Sequence, residues 1–190
     1  MMYYIGTRTI DTPRLILRRF TVDDAPAMFR NWANDPEVTK YLTWPPHTDV
    51  SVTEGLLQTW VNNYEQGDYF QWAIVHKELG EPIGSIAVVS IDSYIACMEV
   101  GYCIGRKWWR QGYTSEALDA VMGELFTHVN CHSVDARHDP RNPHSGAVMR
   151  KCGMSMLFTR AGDHNNQGDC DAVYYSILAS EYRRRKAENP

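Results

Sequence analysis

The sequence predicts a single α/β domain (of the α+β kind) around a mixed, mostly antiparallel sheet of about seven strands, with about four helices. Three observations lead there. At 190 residues with 44% hydrophobic residues, the chain can bury one substantial core and is too short for two. Three consecutive strand-like runs are joined by short turns, which favours an antiparallel meander. One amphipathic helix then bridges two further strand-like runs, the pattern of a right-handed parallel crossover.

The elements follow in order. Within PRLILRRF, Leu15 and Leu17 alternate with Ile16 and Arg18, as in a first strand with one buried face. Thr21 and Asp24 form a Thr-x-x-Asp start signal for a helix through Ala25, Met28, Phe29 and Trp32, which Asn34-Asp35-Pro36 stops. After a loop holding Trp44-Pro45-Pro46, a second helix spans Val52 to Tyr64, with Leu56, Leu57, Trp60 and Val61 at helical spacing and Gly67 as its end. YFQWAIVH, PIGSIAVVSI and IACMEVGYCI are the three meander strands. The next helix, from about Thr114 to Val129, puts Ala117, Leu118, Val121, Leu125 and Val129 on one face, and HSVDARH is the strand beyond it. Asn142-Pro143 opens a short helix, with Asn as cap, and Gly153 closes it. Two strands, near Met154 to Arg160 and Cys170 to Leu178, complete the sheet. Residues 179–190 read as a basic C-terminal tail whose Arg183 to Lys186 run could bind an acidic partner but is read as the solvated basic end of a helix, without a functional role, and no repeat or linker divides residues 1–190.

Composition narrows the function. A formal net charge of -4 argues against a general nucleic-acid surface, so any positive patch is local. Neither a membrane-spanning run nor a signal peptide is evident, and the expected location is the cytoplasm. Five cysteines with no Cys-x-x-Cys pair suggest buried, reduced thiols, and the histidines near Cys131 fit no familiar metal spacing. No metal is expected, and the oligomeric state, monomer or homodimer, is not readable.

GRKWWRQGYTSEAL, from Gly105 to Leu118, places cations, tryptophans and a glycine just ahead of the long helix. A helix start whose amides are uncapped is an anion site. Gly112 lets a ligand approach the backbone, Thr114 and Ser115 add hydroxyls outside any capping box, and Arg106, Lys107 and Arg110 add charge. A plain turn capped by Thr114 or Ser115 accounts for the same residues. Walker and Rossmann glycine patterns are both absent.

MEVGYCIGRKWWRQGYTSEAL followed by NPHSGAVMRKCGM resembles the coenzyme-A-binding core of the GNAT superfamily of N-acetyltransferases, in its Rim-type branch of ribosomal-protein N-terminal acetyltransferases. TPRLILRRFTVDDAPAMF and DPEVTKYLTWP resemble the same branch, so the likeness covers nearly the whole chain. The resemblance implies acetyl-CoA lying between two splayed parallel strands, one ending at Ile104 and one beginning near His132. It implies that Tyr102, Cys103 and Ile104 pair with the pantetheine arm. Trp109, Arg110, Gln111, Gly112, Tyr113, Thr114 and Ser115 would form the pyrophosphate loop, with Asn142 against the coenzyme. The acceptor is an amine, on a protein N-terminus or a small molecule, and Tyr41, Trp44 and Phe70 would wall its site unless they are core aromatics.

Acetyl transfer needs a free amine lone pair, and so a base. The resemblance gives that role to Glu99, which alternates away from Met98, Val100, Tyr102 and Ile104; a solvated strand Glu fits the same pattern. His138 is the reserve. Ser145 is placed near the coenzyme sulfur, where it would assist the leaving thiolate; it also suits a first helical turn. Cys152 invites a rival reading as a nucleophile with His138 or His144, but a buried small residue before a helix-ending glycine is simpler. A non-catalytic sensor of coenzyme A or acyl-CoA is the alternative to an enzyme.

Overall fold

The computed structural model describes residues 1–188. Among these residues eight strands form one sheet: β1 (Ile10–Asp11), β2 (Leu15–Arg18), β3 (Gln71–His76), β4 (Glu81–Asp92), β5 (Cys97–Ile104), β6 (Ser133–His138), β7 (Ser155–Asn165) and β8 (Gly168–Leu178). Their order across the sheet is β1-β2-β3-β4-β5-β6-β8-β7. Every neighbouring pair is antiparallel except β5 and β6, which the bridging helix makes parallel. The strand beyond the expected seven is β1, whose 2 residues are too short for any periodic signal.

Among the described residues there are six α-helices: α1 (Ala25–Met28), α2 (Pro36–Thr39), α3 (Val50–Asn63), α4 (Tyr113–Glu124), α5 (Pro143–Lys151) and α6 (Ala179–Glu188). The Thr-x-x-Asp signal works as read: the Thr21 amide donates to Asp24 Oδ2 at 2.8 Å. A 3-10 turn at Val22–Asp24 leads into α1, and a π turn at Phe29–Ala33 carries it to Asn34. The residues that stop this helix also start α2, because Asp35 accepts from the Glu37 amide at 2.9 Å and Pro36 takes the first helical position. A second π turn, Leu125–Val129, extends α4 to Asn130, whose φ of 61° ends it.

Alternation along the strands separates two cores. On one face Leu15, Leu17, Ile74, Ile86, Met98 and Val100 pack with Leu118, Val121 and Leu125 of the long helix. On the other, Ala73 and Val75 meet Phe20, Met28, Trp32 and Leu57. Helix α6 joins the first core and corrects the expected tail. Tyr182 is buried and donates to the Asp119 carbonyl at 3.0 Å, while Arg185 and Lys186 both pair with the Asp119 carboxylate. A run of charge hid one buried tyrosine and its distant partner. Asn189 and Pro190, the end of that expected tail, lie outside the described residues. Among the described residues no helix is long and apolar enough to cross a membrane.

The feature that positions the site is the short parallel ladder. β5 and β6 pair only through Cys97–Ser133, Met98–Val134 and Glu99–Asp135. Beyond Glu99, β5 stays with β4 as far as Gly84–Ile104, and β6 stays with β8 as far as His138–Val173, so the two strands part.

Candidate active site

A cavity of about 610 Å³ occupies the opening. Tyr102, Cys103 and Ile104 line it from the strand, Trp109, Arg110, Gly112, Thr114 and Ser115 from the following loop and helix start, and Asn142 and Ser145 from α5. Val38, Tyr41 and Leu42 close another side.

The loop is bent by two left-handed residues, Arg110 (φ 61°) and Gly112 (φ 83°), and Gly112 stands at the N-cap of α4. No side chain caps that end. Its amides and dipole therefore face the cavity from beside Thr114 and Ser115. A Cβ built on Gly112 would lie 3.4 Å from Arg14 Nη2 and 3.6 Å from Lys151 Nζ, so the missing side chain leaves a gap between two cations.

The expected charges are redistributed. Arg110 lines the cavity beside His144, with Nη2 at 3.2 Å from its Nε2. Arg106 instead pairs with Asp35 at 3.1 Å, and the Lys107 ammonium lies 5.4 Å from the Trp108 ring; neither lines the cavity. Lys151 lines the cavity and Arg14 borders the Gly112 gap, charge that the loop motif did not announce, while Arg141 lines the cavity paired with Asp139. Arg14 also holds the loop: its Nη1 donates to the Gln111 carbonyl at 3.0 Å, and its Nε and amide donate to Glu116 at 2.7 and 2.9 Å. Gln111 and Tyr113 do not reach the main cavity. The Gln111 side chain donates to the Lys107 carbonyl, and the Tyr113 hydroxyl sits 2.9 Å from His76 Nε2 under the Arg14 guanidinium. Trp108 is buried in the core, while Trp109 donates to the Ile104 carbonyl at 2.9 Å, on the strand end that β6 has left.

Ser145 and Tyr102 form a hydroxyl pair. Ser145 Oγ donates to the Tyr102 oxygen at 3.1 Å, and the Tyr102 hydroxyl donates to the Ser145 carbonyl at 2.9 Å. Burial raises the phenol well above its ordinary range, so it remains protonated. Asn142 stands at the N-cap of α5, but its side chain makes no capping bond and lines the cavity instead.

Glu99 stands at the last rung before the strands part. Burial raises its carboxyl above the usual range against the pull of Arg137 at 3.5 Å, and Asp135 and Asp163 push the same way as burial. It does not line the main cavity. On its own face of β5 the next residue is Gly101, and then comes Cys103, which does. Gly101 carries no side chain on that face, where Val89 packs close against it: an added Cβ would lie 3.1 Å from Val89 Cγ1.

His138 is packed away from the opening. Its Nδ1 is 2.8 Å from the Asp139 carbonyl, and its buried Nε2 presses on Gly146, where a Cβ would be 2.5 Å away. Cys152 is buried with its thiol pushed up to about 12, chiefly by desolvation, and lies 3.3 Å from the Ser115 carbonyl. Little thiolate exists there at neutral pH, which disfavours the nucleophile reading.

Of the expected acceptor wall, only Tyr41 lines the cavity. Trp44 packs on His47 with ring centroids 5.2 Å apart, and Phe70 is 1% exposed within the main core. Aromatic composition did not separate a wall residue from a core residue. The wall itself is held by the β7–β8 turn: the Asn166 amide donates to the Leu42 carbonyl at 3.1 Å, and its side chain donates to the Thr39 and Trp44 carbonyls at 2.8 and 2.5 Å. Next to it, Asn165 donates to Asp139, which also clamps Arg141. Only the turn-like NNQG hinted at this latch. Among the described residues no cluster of three or more His, Cys, Asp or Glu is arranged to hold a metal.

Comparison with known proteins places this geometry. Residues 14–155 match the model of the acetyltransferase (GNAT) domain. The uncharacterized N-acetyltransferase p20 of Bacillus licheniformis is 33% identical over 179 residues, covering 92% of this chain and 98% of its own. The ribosomal protein uS5-alanine N-acetyltransferase of Escherichia coli is 27% identical over 154 residues, 76% of each chain. Among solved structures, RimL, a ribosomal L7/L12 alpha-N-protein acetyltransferase in complex with coenzyme A, matches the fold with a TM-score of 0.80 at 19% identity, covering 90% of this chain and 98% of its own. With a parted parallel strand pair, an uncapped helix start beside it and a family match over most of its length, the chain belongs to the GNAT family as an N-acetyltransferase.

Proposed function

We propose that the protein transfers an acetyl group from acetyl-CoA directly to a primary amine, with Glu99 as the base. The observation that carries this is the parting of β5 from β6 immediately past the Glu99–Asp135 rung, beside a helix start left uncapped and flanked by cations. The residues present fit the coenzyme. The Gly112 gap and the α4 amides suit its pyrophosphate, Arg110 adds charge, and the edge of β5 from Tyr102 to Ile104 suits its pantetheine arm. When bound, acetyl-CoA supplies an acyl thioester, whose thiolate is already a fair leaving group.

The chain's residues do the rest. An α-amine with a pKa of about 8 is mostly protonated at neutral pH, and the Glu99 carboxylate takes its proton by way of water, relayed along the strand face it shares with Gly101 and Cys103. The free edge of β5 donates to the carbonyl oxygen as it gains charge. Ser145 Oγ, turning from Tyr102, donates to the departing sulfur. The acceptor is a protein N-terminal amine or a small-molecule amine; the specificity named for the Escherichia coli relative supports the former.

Thiol release from acetyl-CoA, measured with a panel of peptides, polyamines and aminoglycosides, tests this reading. Release dependent on at least one amine is expected. Tight coenzyme binding with no release for any acceptor would refute it and leave a coenzyme-binding sensor.

A further inference from the structure

The face of the sheet that carries Glu99 is packed by helices over β3, where Ala73 and Val75 lie, and is open toward β7, where Phe158 is 49% exposed. Register brings one group of side chains to the open part. Arg137 stands opposite Tyr174 of β8, and Tyr174 opposite Phe158 of β7, the edge strand. The Phe158 and Tyr174 rings stack with centroids 4.8 Å apart, and the Arg160 guanidinium lies 4.9 Å from the Tyr174 centroid. The carboxylates of this shelf are already engaged. Arg137 pairs with Glu99 and Asp163 at 3.5 and 3.2 Å, and Ser176 Oγ donates to Asp135 at 2.6 Å. Arg160 is left over: among the described residues it makes no ion pair, and its Nη2 donates to the Tyr174 hydroxyl at 2.5 Å. That hydroxyl also accepts from Arg137 Nη1 at 3.3 Å. A phenol oxygen accepts two such bonds, so the proton of Tyr174, a residue only 8% exposed, points elsewhere and has no partner among the described residues.

We propose that Arg160 and the Tyr174 hydroxyl select the acceptor by binding a carboxylate a few bonds from its reacting amine; the inference rests on the transfer reading above. A carboxylate accepts from a guanidinium and a hydroxyl together, and these two donors converge where the shelf's own acids are taken. The place suits an acceptor that has reached Glu99. Strand β7 is two strand spacings from β6, about 10 Å, and the Arg160 head turns back over Tyr174 on the strand between. Its charge is also felt at the base: burial raises the Glu99 carboxyl, and Arg160 is among the charges that pull the other way. Packing alone accounts for the stacked ring, but not for a buried hydroxyl whose proton no neighbour takes.

Thiol release from acetyl-CoA with matched acceptors tests the assignment. One pair is a peptide beginning X-Asp against one beginning X-Asn, where X opens an acceptor that supports release; the other is the free amino acid X against its amide. Values of kcat/KM are taken per neutral amine, because a nearby carboxylate raises an amine's pKa. The wild-type protein should favour the carboxylate member of at least one pair by about tenfold, as expected for charge-assisted contacts on partly exposed groups. That ratio should shrink in about 0.5 M salt. A preference in the first pair identifies an acidic peptide N-terminus as its source, and one in the second pair alone a free amino acid. In Arg160→Gln and in Tyr174→Phe the ratio should fall toward one, whatever the variant does to both members together. Equal values within both pairs for the wild-type protein overturn the proposal, as does release confined to polyamines or aminoglycosides, or a ratio unchanged in either variant. The wild-type comparison decides even where a variant fails to fold. No release with any acceptor would instead overturn the transfer reading, and this inference with it.

Discussion

Replacing Glu99 with Gln separates a base from a structural carboxylate, because the two roles predict opposite effects. The variant keeps the shape and an oxygen for Arg137, which also retains Asp163 at 3.2 Å and the Tyr174 hydroxyl at 3.3 Å. Burial raises the Glu99 carboxyl in the fold, whereas in the unfolded chain it loses its proton near about 4.3. Between those two values the unfolded state binds fewer protons, so stability falls as pH rises through the window and stays lowered above it. Gln removes that cost. At pH 7 the variant should be as stable as wild type, to within about 1 kcal/mol, or more stable, with the two converging below about pH 4. Activity should behave otherwise. Cys103 lies four residue steps along the strand from Glu99, about 13 Å, so a relayed proton and the low end of general-base catalysis apply, about a hundredfold. The full loss belongs near pH 6, where about 1% of an α-amine is neutral, and it should shrink below about tenfold near pH 9, where the amine has lost its proton unaided. Initial rates of thiol release across pH, alongside thermal melts, measure both. A wild-type to variant ratio that stays constant with pH removes Glu99 from the role, as does a loss of stability that accounts for the loss of rate.

Two further substitutions probe the cavity. Gly112→Ala places a β-carbon at φ 83°, costing about 1–2 kcal/mol in chemical denaturation, and fills the gap between Arg14 and Lys151, so coenzyme A affinity should fall more than about tenfold. Gly112→Asn should recover part of the stability, since Asn tolerates that backbone, without recovering affinity; full affinity in either variant would rule out the gap as a binding feature. Asn166→Ala removes the side-chain donor to the Thr39 and Trp44 carbonyls and costs about 1–2 kcal/mol. Steady-state kinetics should show the acceptor KM rising several-fold with the acetyl-CoA KM and kcat little changed, and a fall in kcat alone would contradict the assignment of that turn to the acceptor wall.

The strands and the long helix were readable because each carries its own periodicity: Leu15 and Leu17 against Ile16, Met98 and Val100 against Glu99, Leu118, Val121 and Leu125 on one helix face. The loop around Gly112 was readable as well, since its left-handed backbone and the absence of a capping side chain are written in neighbouring residues. Phe70 and Trp44 were not placed, because an aromatic residue looks the same before a core strand and on a cavity wall. Arg106 and Lys107 misled for a related reason: Asp35 and the Trp108 ring claim them in space, and local charge does not reveal a partner.

What the sequence by itself determined is the order and identity of the elements, the family likeness, and the chemistry available at Glu99, Gly112 and Ser145, all properties of short stretches read in series. Only the tertiary structure decided which cations reach the cavity, that Asn166 holds its wall, and that α6 packs instead of trailing. Those outcomes depend on contacts such as Arg14 with Glu116 and Lys186 with Asp119, which join residues far apart in the chain. Such contacts leave no periodic trace, because a single long-range ion pair constrains two positions and nothing between them.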